Sequence, residues 1–132
     1  MRLRKQTERW FPVPDDPDGA RIKQRPLTPG EDQDIIDESA GSVEYQVDDA
    51  GRPVPIYKER KEQLRIRREL SLQKQVVDWE HVLDEDGSPL ECTDENKVLV
   101  ARSIPGFVET VLANARQLKA DLAKEKKAKE KN

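Results

Sequence analysis

The stretch VDWEHVLDEDGSPLECTDENK, residues Val77–Lys97, decides the fold predicted for this chain. It combines a tryptophan, an acidic turn that ends in glycine, and a threonine that can cap a helix. Asp94 and Glu95 follow Thr93, and acidic residues stabilise the first turn of a helix. The stretch therefore predicts a β-hairpin that anchors Trp79 and leads into the C-terminal helices.

Two other segments resemble the acidic turn at residues 84–87. Residues 15–19 (DDPDG) and 48–51 (DDAG) also end in a glycine that can take a positive φ, and residues with strand tendency flank each of them. We therefore predict three β-hairpins, and the prolines in their strands should keep those strands short and at sheet edges. A calcium-binding EF-hand loop is not predicted, because counting back from Gly87 places Val82 at the first ligand position and Thr93 at the last. We expect no metal and no cofactor.

Four helical segments are predicted between and after the hairpins. A capping box, Thr28-Pro29-Gly30-Glu31, opens the first, which should reach about Ser39 with Ile35 and Ile36 facing inward. The others are expected from Tyr57 to Val77, from Thr93 to the break at Ile104-Pro105-Gly106, and from Phe107 onward. The predicted fold class is α+β, mainly α, with three to four helices and short β-hairpins. We expect one domain over residues 1–122 and a charged, lysine-rich helical tail over residues 123–132 that frays.

Charge is distributed in blocks of alternating sign. Charged residues make up 39% of the chain and hydrophobic residues 34%, which predicts a small core. Residues 26–51 and 75–96 each hold eight acidic residues and no lysine or arginine, and basic residues outnumber acidic ones in the blocks around them. One interpretation is that these blocks are solvated surfaces that pair with each other across the fold. The other is that they dock one copy of the chain onto another, or onto a charged partner. The chain has one cysteine and no apolar run long enough to span a bilayer, so we expect a cytoplasmic protein without membrane contact.

The residues that carry chemistry are few. His81 is the only histidine, and Cys92 is the only cysteine. A helix N-terminus beside Cys92 could lower the thiol pKa, but a Cys–His pair would lack a third group, and a half-buried cysteine on a hairpin explains the residue equally well. Phosphate-binding glycine motifs are absent from the sequence. We therefore expect no enzyme; nucleic-acid binding has weak support from the arginines at positions 65, 67 and 68.

The order of motifs resembles that of the small tail assembly chaperones of long-tailed bacteriophages and prophages. The resemblance covers residues 7–118 and rests on a strand of the form RIKxRPL and on a later W-x-x-V-x-D-x-x-G-x-P-L hairpin before a TxEN helix start. The first motif is carried by residues 21–27. The second is carried by Trp79, Val82, Asp84, Gly87, Pro89, Leu90, Thr93, Glu95 and Asn96. Among these, we expect Trp79, Asp84, Gly87, Pro89 and Thr93 to be structural.

The resemblance implies a non-catalytic protein that binds the helical tape measure protein and helps the tail tube protein to assemble around it. The candidate contact stripe lies on the last predicted helix and consists of Phe107, Val108, Val111, Leu112, Leu118 and Leu122. The alternative is that this stripe packs inward against Trp79 and the central helix. Two other classes stay open, a structural head–tail or neck protein and a small regulatory protein that binds nucleic acid.

Overall fold

The structure is a computed structural model that describes residues 1–3, 5–41 and 43–130. Five strands and four helices lie in the described residues, which confirms the predicted α+β, mainly α class. In chain order they are β1 (Arg9–Pro12), β2 (Arg21–Gln24), α1 (Pro29–Ala40), β3 (Glu44–Val47), β4 (Pro53–Ile56), α2 (Arg60–Gln75), β5 (Val76–Glu80), α3 (Asp94–Ser103) and α4 (Phe107–Glu130).

The chain forms two compact units. The first contains the residues up to Leu27 together with the chain from Leu72 onward, and the second contains Thr28–Ser71. The sequence predicts a single domain over residues 1–122, and its cooperative unfolding as one domain stays a prediction.

The first unit is built on a three-stranded antiparallel sheet in the order β1-β2-β5. Ile22 on the central strand stands opposite Phe11 on one side and Trp79 on the other, and its side chain is fully buried. The helices α3 and α4 add Val100, Phe107 and Val111 to the core that this sheet begins. The sheet therefore brings residues from both ends of the chain into one core.

A buried polar contact joins the sheet to α4. Gln24 is fully buried at the end of β2; its Nε2 donates to the Val111 carbonyl at 3.1 Å, and its Oε1 accepts from Asn114 Nδ2 at 2.9 Å. A buried amide without partners costs about 1–3 kcal/mol, so these bonds favour this one placement of the helix. An ion pair of 2.6 Å between Arg9 and Asp121 extends the contact toward the surface.

The second unit contains α1, the β3–β4 hairpin and most of α2. The predicted capping box is confirmed, since Thr28 accepts from the Glu31 amide and the Glu31 carboxylate accepts from the Thr28 amide. Ile35 is buried as predicted, but Ile36 is 44% exposed. The inward orientation predicted for Ile36 is wrong, because the helix buries Ile35 and Ser39, which lie one turn apart, and turns Ile36 away from that face.

The central helix is shorter than the sequence predicts. It ends at Gln75, and the chain continues directly as β5, so Val76 and Val77, the last residues of the predicted helix, belong to a strand. Two β-branched residues begin this strand, and their preference for strands combines with pairing to β2, some 50 residues earlier in the chain. Pairing over such a distance overrides the local helical pattern.

The last helix extends through the lysine-rich segment as far as Glu130, and its side chains from residue 123 to 129 are exposed. Lys131 and Asn132 lie outside the described residues. Fraying of this tail in solution stays a prediction. In the described part of the chain no single helix is long and apolar enough to cross a membrane. Only α3 and α4 taken together have that length and apolar content, and a bend of 113° separates them.

Candidate binding surfaces

The three acidic turns share one hydrogen-bonding device. In each, an aspartate side chain accepts from the amides two and four residues later, and a glycine three residues later has positive φ. The aspartates are Asp16, Asp48 and Asp84. Each carboxylate therefore accepts hydrogen bonds from its own loop and stabilises the turn. No group of His, Cys, Asp and Glu in the described residues could hold a metal ion.

The third predicted hairpin differs from the expectation. The strand that contains Trp79 pairs with β2 and not with the segment after the turn. What remains of the hairpin is one bridge, Leu83 with Pro89, and a bond from the Leu90 amide to the Val82 carbonyl. The prediction of a full third hairpin is wrong, because the better partner for the strand is the distant β2.

Trp79 connects the sheet, the third turn and α4. Its indole Nε1 donates to the Leu90 carbonyl at 2.7 Å, and its ring meets the Phe107 ring edge to face at 6.5 Å. The side chain is 7% exposed. These two contacts hold residues 83–90 against the core and fix the shape of the outer surface of that segment.

The helix α3 begins as the sequence predicts. Thr93 is its N-cap and accepts from the Asn96 amide at 3.1 Å. Asn96 in turn donates from Nδ2 to the Glu91 carbonyl, so the chain entering the helix is held on both sides of the cap. This fixes the helix next to the third turn.

A shallow open groove of about 490 Å³ lies between the third turn and α3. Its walls are the apolar side chains Leu83, Leu90, Leu99 and Ile104, and Asp84–Asp86 line one side. Leu99 is 53% exposed and Ile104 47%. Neither residue was a surface candidate from the sequence: Leu99 lies next to the buried Val100 on α3, and Ile104 is the C-cap of that helix.

The structure divides the predicted contact stripe on α4. Phe107, Val111 and Leu118 are buried in the interior, where Phe107 contacts Trp79 as the alternative interpretation expects. The other three stripe residues are half-buried: Val108, Leu112 and Leu122. Partner binding by the stripe stays a prediction, and in the folded chain only the half-buried residues are accessible to a partner.

Cys92 and His81 do not form an activated pair. Burial raises the pKa of the Cys92 thiol from 9.0 to about 11, and the cation of Lys97 only partly offsets this. Loss of hydration therefore outweighs the lowering of the thiol pKa that a helix N-terminus could give. His81 is exposed and has a left-handed backbone, with φ +59° at the end of β5.

The three arginines proposed as a nucleic-acid contact do not form one surface. Arg65 and Arg68 are exposed, but Arg67 is half-buried, and its Nε lies 3.5 Å from Ser39 Oγ. That contact holds α2 against α1.

The β3–β4 hairpin is exposed along almost its whole length. Tyr45 is 67% exposed, Val47 73% and Val54 42%. The sequence predicts this hairpin but not its exposure, because alternation of apolar residues does not show whether anything covers them. The hairpin and the groove each bring several exposed apolar side chains together.

Comparisons with protein-family models, with curated proteins and with solved structures find no match to this chain.

Proposed function

We propose that this chain is a non-catalytic binding protein that holds an amphipathic helix of its partner in the groove between the third turn and α3. More particularly, we propose a cytoplasmic tail assembly chaperone of a long-tailed phage, which binds the tape measure protein and assists assembly of the tail tube protein. The motif resemblance of residues 21–27 and 79–96 motivates the particular assignment. The groove supports the binding class.

The observation that carries the proposal is the pairing of apolar walls with an acidic rim. Leu99 and Ile104 are about half exposed and line the same groove. A helix that lays an apolar stripe into the groove would bury both, and a helix inserted in a groove is a common mode of peptide recognition. The carboxylates of residues 84–86 favour a helix with lysine or arginine beside its apolar stripe. Val108 and Leu112 on α4 could extend the contact.

Co-expression with the tape measure protein tests the assignment. We expect the client to co-purify with this chain and to become more soluble. Leu99→Glu and Ile104→Glu place a charge in the groove at exposed positions, so we expect them to weaken capture while the chain stays folded. Leu3→Glu is a matched control, because Leu3 is fully exposed and does not line the groove. A client that neither co-purifies nor gains solubility would overturn the proposal.

The other two classes give different results. A structural head–tail or neck protein would stay in purified virions, whereas the chaperone should be absent from them. A nucleic-acid-binding protein would show an affinity that falls steeply with salt and depends on Arg65 and Arg68.

A further inference from the structure

The β3–β4 hairpin has one face made of apolar residues. Side chains alternate between the faces of a strand, so Tyr45 and Val47 share a face with their partners Pro55 and Pro53. The opposite face carries Glu44 and Gln46 together with their partners Ile56 and Val54. A two-stranded sheet alone is only marginally stable in water, and additional strands stabilise it.

The two edges of the hairpin differ in what they can bind. The Asp48 amide donates to the Arg52 carbonyl, and bonded and non-bonded pairs alternate from there. The prolines at 53 and 55 therefore fall at non-bonded positions, where an N–H would point outward, so the outer edge of β4 has lost those donors. On β3 the N–H and C=O groups of Tyr45 and Val47 point outward, and no third strand pairs with them in the described part of the chain.

We propose that the β3 edge pairs with β3 of a second copy of this chain. The strands run antiparallel about a two-fold axis at Tyr45, so that Tyr45 faces Tyr45 and Val43 faces Val47. The two hairpins then form one four-stranded sheet whose apolar faces are continuous. Such a contact is isologous, since each copy presents the same strand.

Charge favours this register over the two adjacent ones. With the axis at Tyr45, Glu44 stands opposite Gln46 of the second copy. A shift of the axis to position 44 places Glu44 opposite Glu44, and a shift to position 46 places Glu44 opposite Asp48. Like charges in directly opposite positions destabilise a sheet, so both shifted registers are disfavoured.

A second charge relation favours a copy of this chain as the occupant. The Lys58 ammonium lies against Gly41, where a β-carbon would stand 2.9 Å from Nζ. Antiparallel pairing brings the turn after β3 of the second copy, which contains Asp49, toward the start of β3, where Gly41 and Lys58 lie. Each Lys58 therefore meets the acidic loop at Asp49, and symmetry repeats this contact at the other end. No ion pair in the described residues engages Lys58 or Asp49 within one chain.

Sedimentation equilibrium of the full chain tests the proposal. The wild type should show a concentration-dependent dimer of twice 15.2 kDa. Lys58→Glu and Asp49→Lys each convert two attractive contacts into repulsive ones and should raise the dimer dissociation constant about tenfold or more. The double variant K58E/D49K restores opposite charges and should recover most of the affinity.

The edge itself is tested with Tyr45→Pro and Tyr45→Thr. Proline removes the outward N–H at a position where the hairpin does not use it, whereas threonine removes the ring and keeps the donor. The proline variant should dimerise more weakly than the threonine variant, with circular dichroism confirming that both are folded. A wild type that stays monomeric, or a dimer indifferent to the charge reversals and to Tyr45→Pro, overturns the proposal. So does a β3 edge that binds only an extended segment of another protein.

Discussion

Replacement of Trp79 by phenylalanine tests how the core positions the groove. Trp79 is nearly buried, donates to the Leu90 carbonyl and meets Phe107 edge to face. Phenylalanine removes the donor, which costs about 1 kcal/mol net, and leaves a void beside Phe107. The smaller ring also buries less apolar area, at about 25 cal/mol per Å². Together these losses should lower the free energy of unfolding by about 2–3 kcal/mol.

Urea unfolding followed by far-UV circular dichroism measures this difference. Trp10 supplies the matched control, because it is half-buried and its ring faces the cations of Arg21, at 4.9 Å, and Lys23, at 5.8 Å. Trp10→Phe keeps an aromatic ring beside those cations and should cost less than about 1 kcal/mol. Equal costs for the two replacements, or a Trp79→Phe cost within error of zero, would refute the role assigned to Trp79.

Three further predictions concern the turn, the cap and the thiol. Asp84→Ala removes the acceptor for two loop amides and should destabilise by about 1 kcal/mol, whereas Asp84→Asn keeps an oxygen there and should cost less; urea unfolding compares them. Thr93→Ala should cost about 1 kcal/mol through loss of the N-cap, and Thr93→Ser should retain most of the stability in the same assay. Cys92 should be alkylated more slowly in the native chain than in urea, because burial raises its pKa to about 11. The unfolded thiol loses its proton first, so the free energy of unfolding should fall as pH rises from about 9 toward 11, and Cys92→Ser should remove that part of the fall. Equal alkylation rates in the native chain and in urea would contradict the burial of this thiol.

Features with local causes were predictable from the sequence. The Thr28 and Thr93 caps and the three aspartate–glycine turns depend on residues within five positions of one another, and the structure has each of them. The helix that starts at Phe107 was predictable in the same way, because its apolar residues recur at helical spacing.

Features set by distant partners were not predictable. Val76 and Val77 lie at the end of the predicted helix, but pairing with β2 makes them the start of a strand. The groove was missed for a related reason, since the exposure of Leu99 and Ile104 depends on which face of α3 meets the core. A single sequence specifies apolar periodicity, but not which of two neighbouring faces is covered.

Hydrogen–deuterium exchange of the chain, free and bound to the tape measure protein, tests the central claim most directly. If the groove holds a helix of the client, amides of residues 83–90 and 99–104 should exchange more slowly in the complex, and Leu99→Glu should abolish the effect. Protection confined to other segments, or a client that forms no complex, would contradict the account.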